Sequence, residues 1–257
     1  MSASPRWSYV QARLQARHGE RLSEADWRAI EAVRSLDQFI ERASLSPLNR
    51  FADAVQASMP VHHAERTLRQ AWRAYVAEVA DWVGVRWRAA VLWTAYVPDP
   101  PIIDAARVGE APRWIDDDPA FAALVETDPP RRDGVSPNAA FRVFFEASDE
   151  QTGLATRWYA HWRALWPHRD GGSRALIDLA TLVKAHVERL DGAGLHETSR
   201  RYRDELAGQF ARLFRRQAGL PAAVFCHLGL VALDVERLRG NLIRRRLFES
   251  ASVRQVA

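Results

Sequence analysis

His62 and His63, followed by Glu65, are the closest approach in this chain to a set of metal ligands. Neighbouring side chains on a helix project about 100° apart, so the two imidazoles do not converge on one ion and are expected as surface groups at a helix start. His161 and His168 flank Trp158, Trp162 and Trp166, ring types that could stack around a planar cofactor. Their helical spacing predicts a core stripe instead. Cys226 lies in an apolar run with no Asp or Arg nearby, the setting of an inert buried thiol and not of an activated nucleophile. No glycine-rich phosphate loop, G-x-S-x-G elbow, H-E-x-x-H helix or CxxC pair occurs. The sequence therefore assigns no catalytic residue, no metal ligand and no cofactor.

Charge offers a second kind of chemistry. Arg212, Arg215 and Arg216 form one basic cluster, and Arg237, Arg239, Arg244, Arg245 and Arg246 a denser one. Arginines in the last turns of a helix complement its dipole, phosphate binding would use them beside exposed aromatics, and a protein contact would use them as a rim around apolar groups. Here the aromatics follow core stripes, while Leu238 and Asn241 recur among the arginines at spacings of three and four. Arg239, Arg244, Arg245 and Arg246 are accordingly expected to form a protein-docking surface.

The elements that carry these residues read as helices throughout. Ser4-Pro5 opens one that runs to Gly19; Ser23 with Asp26 and Ser35 with Gln38 form capping boxes; Ser46-Pro47 starts a short helix bearing Leu48, Phe51, Ala52 and Val55. After Pro60, Leu68, Trp72, Tyr75, Val79 and Trp82 trace one apolar face, and the pattern continues past Gly84 through Trp87 and Trp93. Helical spacing resumes after Ser136-Pro137 with Phe141, Phe144 and Phe145, and the last helix carries Val224, Leu228, Val231, Val235, Leu238 and Leu242 on one stripe. No strand pattern of comparable quality appears. The expected fold is all-α, amphipathic helices packed in one or two bundles.

Eight of the 13 prolines and the Asp116-Asp117-Asp118 run fall within 98–138. That stretch reads as an acidic connection with at most one short helix, placed after Pro119. It divides the chain into an N-terminal helical region 1–97 and a C-terminal one 139–257.

At 257 residues, 47% hydrophobic and 26% charged, the chain has the composition of a folded globular protein. Lys184 is its only lysine, and the net charge of +4 divides unevenly. Residues 1–90 carry 13 basic and 10 acidic groups, 91–156 carry 5 and 12, and 157–257 carry 18 and 10. Zones of opposite sign suit docking against charged partners. The single cysteine fits a reducing compartment, no apolar leader stretch opens the chain, and no apolar run reaches the roughly 20 residues of a membrane span. A cytoplasmic protein is expected.

Two stretches carry a family resemblance. Tyr9-Val-Gln-Ala-Arg13, followed by Leu22, Trp27, Leu36, Phe39 and Leu45 and then by Glu65 and Leu68, is similar to the opening module of the C (or d) subunit family of V-type and archaeal-type rotary ATPases. Val235-Glu-Arg-Leu-Arg239, with Leu242 and Arg246, resembles that family's closing helix. The resemblance implies an all-helical, funnel-like, non-catalytic subunit on the central axis of a rotary motor. It would be held to the inner face of a membrane through its partners, with one face on the membrane rotor ring and the other receiving the rotor shaft. The residues alone lead to a protein-interaction subunit. Two other classes stay open: an enzyme whose site is assembled from scattered His, Glu and Arg, and a helical nucleic-acid binder that uses the C-terminal arginines.

Overall fold

The computed structural model describes residues 5–107, 110, 115, 118, 121, 142–145, 153–167, 173–191 and 196–256. The expectations placed on Asp116-Asp117, Ser136-Pro137, Phe141 and His168 lie outside the described residues. The protein is all-α, with no strand among the described residues. The helices are α1 (Pro5–Gly19), α2 (Glu24–Glu31), α3 (Leu36–Ser44), α4 (Asn49–Ala52), α5 (Val61–Trp82), α6 (Val85–Trp93), α7 (Pro100–Arg107), α8 (Arg142–Phe145), α9 (Leu154–Ala164), α10 (Ser173–Asp191), α11 (His196–Arg216) and α12 (Pro221–Val256), with a 3-10 turn at Thr94–Tyr96.

Local chemistry sets several of these starts. The Ser23 hydroxyl accepts from Asp26 N–H at 3.2 Å, and the Asp26 carboxylate takes the Ser23 N–H at 2.9 Å, closing the capping box of α2. Ser35 caps α3 through Gln38 N–H. On α5, Leu68, Trp72, Tyr75, Val79 and Trp82 are all buried, and Leu48, Phe51, Ala52 and Val55 are buried beneath them.

The helix does not run on past Gly84. Val83 and Gly84 are both extended, with ψ of 162° and 156°, and α6 starts afresh at Val85. The cause lies far away in sequence: the Arg6 guanidinium donates to the Val83 carbonyl at 2.6 Å, an oxygen that a continuing helix would have used itself.

A second difference falls in the proline-rich stretch, where helix α7 forms before Pro119. Pro100 and Pro101 occupy its first turn, where a missing N–H costs nothing, and Ile102, Ile103 and Ala106 are buried.

The 36-residue α12 is the spine of the molecule, roughly 54 Å long at 1.5 Å per residue. It packs against α1, α3, α5, α6, α10 and α11. Beyond the expected stripe, Ala222, Ala223, Phe225, Cys226 and Leu230 are buried as well, so its first half is apolar on every side and enclosed by the other helices. One hydrophobic core runs from Val10 to Leu242 and draws on both helical regions.

α11 and α12 approach tightly at Gly229, where a Cβ would stand 2.6 Å from the Phe210 ring. Gly229→Ala is therefore expected to lower stability by about 1–3 kcal/mol through overpacking. An unchanged denaturation midpoint for that variant would show that the Phe210 ring has room to turn away.

Candidate docking groove

The four C-terminal arginines do not share one role. Arg245 is buried: Nε and Nη2 donate to Val33 O at 3.1 and 2.7 Å, Nη2 reaches Glu31 O at 2.9 Å, and Nη1 bonds the Asn241 side chain at 2.8 Å. Its guanidinium also stacks 4.0 Å over the Phe39 ring. Arg245 thus satisfies the carbonyl of Glu31, the last residue of α2, and that of Val33 just beyond it, the task of a C-cap performed from another helix. Burial and the neighbouring Arg244 push its guanidinium down from its ordinary range. Arg244 is exposed and donates to the Asn241 amide oxygen at 2.9 Å.

Arg239 and Arg246 belong elsewhere. With Leu242 and Ile243 they follow the i, i+3, i+4, i+7 spacing of one helix face, and that face forms one wall of a small groove with about 20 Å³ of space. Leu36, Val55 and Leu68 floor it; Ile40, Met59 and Val61 are half-buried along it. Arg239 donates to Glu65 at 2.9 Å, and Arg246 donates to the Ala57 carbonyl at 2.8 Å, so both guanidinia are held in place at the lining. The structure brings Arg239 and Arg246 together at the groove and parts them from Arg244 and Arg245.

Just upstream, Arg237 clamps α2. It donates to Glu31 at 2.7 and 2.8 Å and to Glu24 at 2.7 and 3.1 Å, and it lies 4.6 Å over the Trp27 ring. Burial alone would lower its guanidinium; the bonds to Glu31 and Glu24 outweigh that and raise it.

Two buried polar clusters escaped the sequence reading. In the first, Asp99 is fully buried and accepts from Arg69 at 2.8 Å and Arg73 at 3.0 Å, while Arg69 also donates to Glu65 at 3.0 Å. Glu65, Arg69 and Arg73 stand at i, i+4 and i+8 on α5, a ladder that spacing could have revealed. In the second, the Tyr75 hydroxyl meets His227 Nε2 at 2.6 Å inside the core. Burial pushes the Tyr75 phenol up to about 12 and, with Arg21 and His18 nearby, holds the His227 imidazole down at about 3. The signal here was a polar ring on each of two otherwise apolar stripes.

The residues first considered for chemistry sit as follows. The His62 and His63 rings meet edge to face at 4.5 Å, and among the described residues no three His, Cys, Asp or Glu side chains group as metal ligands. His161 packs against Trp93 at 4.4 Å, and burial lowers its imidazole. Trp158 stacks on Trp162, and Trp162 meets Trp166 edge to face, as parts of the core. Cys226 is fully buried, and burial pushes its thiol up to about 12, which leaves no thiolate at neutral pH. Among the described residues no helix is long and apolar enough to cross a membrane. Comparison with protein-family models, with curated proteins and with solved structures finds no match.

Proposed function

We propose that this chain is a non-catalytic protein-interaction subunit that docks a partner at the groove between α3, the start of α5 and the second half of α12. The observation that carries the reading is the single face of α12 on which Leu242 and Ile243 lie between Arg239 and Arg246. Apolar groups bordered by arginine, with lysine absent, match the make-up of protein contact surfaces. Among the described residues, the Tyr75–His227 pair is closed off within the core.

The resemblance to the rotary-ATPase C/d subunits gives the proposal its most specific form: a coupling subunit between rotor shaft and membrane rotor ring, peripheral to the membrane through those partners. That form rests on the Tyr9–Arg13 and Val235–Arg239 stretches, and it is the form in which copurified subunits would be recognised.

Ile243→Asp tests the docking reading, because it puts a charge among the apolar groups of a half-buried wall. The partners copurifying with the full chain are expected to fall by about tenfold or more, the loss that follows truncation of a modest contact centre. Arg215→Glu, on the exposed face of α11, should leave them unchanged. Equal capture by both variants, or binding of DNA or RNA that falls steeply with salt and depends on Arg244, would overturn the reading in favour of the nucleic-acid class.

A further inference from the structure

We infer that the corner where α1 crosses the junction of α5 and α6 binds single-stranded nucleic acid, with Arg6, Arg13 and Arg86 taking phosphates and Tyr9 stacking against a base. The corner lies at the opposite end of α5 from the groove, so the inference stands apart from the docking reading.

The first observation is unmatched charge. From Pro5 to Gly19, α1 holds no acidic residue. The Arg6 guanidinium donates to the Val83 carbonyl, a neutral oxygen, and lies against Gly84, where a Cβ would stand 3.5 Å from its Nε. Arg86 follows two positions later and is exposed. Arg13 lies over two rings, 5.3 Å from the centre of Tyr9 and 5.3 Å from that of Trp82. Among the described residues no carboxylate pairs with Arg6, Arg13 or Arg86. The other charges of the corner cancel: Arg88 meets Asp81 at 3.0 Å, and Arg17 and Arg50 share Glu20 and Glu78. An excess of three arginines remains, the footprint that a polyanion complements.

The second observation is an open ring among those arginines. Tyr9 stands 50% exposed, whereas Trp72, Tyr75, Trp82, Trp87 and Trp93 of the neighbouring α5 and α6 are buried. Arg13, held over Trp82, covers one side of the Tyr9 ring, and the exposed part is left to another stacking partner. Arginines for the backbone and a free ring for a base are the means by which proteins hold single strands without reading their sequence. A duplex keeps its bases stacked inside and has none to offer Tyr9. An anionic membrane would meet the same arginines, but faces that dock on membranes insert large apolar groups, and the aliphatic side chain exposed at this corner is a valine, Val85.

The test titrates the full chain into fluorescein-labelled single strands of RNA and of DNA, about 12 nucleotides long, and into the matching duplex, by anisotropy across a salt series. Single strands are expected to bind at physiological salt with a Kd of roughly 1–100 µM, more tightly than the duplex, and log K should fall against log salt with a slope of about −2, the value for three phosphates. Tyr9→Ala should weaken binding about tenfold, and Tyr9→Phe should leave it unchanged, because stacking needs the ring and not the hydroxyl. Arg86→Glu, at an exposed position with no structural bond, should weaken binding and flatten the salt slope by about one phosphate. No binding at about 100 µM protein, equal affinity for the duplex, or indifference to Tyr9→Ala overturns the inference. Flotation with phosphatidylserine vesicles that is lost in Val85→Asp, without strand binding, would assign the corner to a membrane instead. Strand binding lost in Arg244→Glu but kept in Tyr9→Ala would move the nucleic acid to the end of α12 and overturn the docking reading with it.

Discussion

Asp99→Ala is expected to lower the unfolding free energy by about 3–5 kcal/mol, the cost of stranding buried charge. The carboxylate is fully buried and accepts from Arg69 at 2.8 Å and from Arg73 at 3.0 Å. Arg69 is itself buried, and its other bonds reach the Pro98 carbonyl at 2.9 Å and Glu65 at 3.0 Å. Removing Asp99 leaves Arg73, a guanidinium that cannot lose its proton, without its carboxylate, and leaves Arg69 with only Glu65, which it shares with Arg239. The opposite design separates this cost from a packing defect. A triple variant, Asp99→Leu with Arg69→Met and Arg73→Leu, removes the three charges around Asp99, leaves Glu65 with Arg239, and is expected to recover most of the lost stability. Equilibrium unfolding in denaturant reads both. A loss under about 1 kcal/mol in Asp99→Ala would mean that water reaches the arginines and screens them. Under the docking proposal the cluster bears on function as well, because Glu65 links it to Arg239 on the groove. Loosening Asp99 should weaken partner capture without altering any residue on the groove lining.

Much of this fold was legible in the sequence because its causes are local. The Ser23–Asp26 box, the Ser35 cap and the Leu68–Trp82 stripe each depend on residues within a turn or two of one another, and periodicity reports such relations directly. The break at Gly84 was not legible, since Trp87 and Trp93 keep the apolar spacing while the carbonyl that would continue the helix is taken by Arg6, 77 positions away. The same distance rule explains Pro98–Pro101. Their composition reads as a connection, yet Asp99 is drawn in by arginines 26 and 30 positions upstream, and the prolines then serve as a helix start.

The arginines show the limit most clearly. Arg239, Arg244, Arg245 and Arg246 form one dense cluster in sequence, and the 100° step between successive helix positions distributes them over different surroundings. Which surroundings each meets depends on where α2, α3 and the 55–61 connection lie, and no spacing within α12 contains that. Arg245 falls against the end of α2 and becomes a structural cap; Arg239 and Arg246 fall on the groove.

Acidification should destabilise the protein well before its carboxylates titrate. His227 is fully buried against the Tyr75 hydroxyl, and its imidazole is held down at about 3 from an ordinary value of 6.5. The folded chain therefore keeps His227 neutral, while the unfolded chain takes up its proton below pH 6.5. In the window from about 6.5 down to about 3 the unfolded state binds the extra proton, so stability falls as pH falls, by up to about 1.4 kcal/mol per pH unit. Above 6.5 the contribution of His227 is fully retained. His18 and His161, both lowered chiefly by burial, act in the same direction. Glu24 and Glu31 are lowered through their bonds to Arg237 and add their loss only further down, below the ordinary carboxylate value of 4.5. Asp99, pushed up by burial, acts in the opposite direction, so between pH 5 and pH 8 the share of the histidines is read from a variant and not from the parent slope alone. The double variant Tyr75→Phe with His227→Phe removes both ends of the buried hydrogen bond while keeping ring volume, so it should sit near the parent at pH 8 and lose much of the slope below 6.5. A double variant with the same slope as the parent would place the proton-linked step outside the Tyr75–His227 pair.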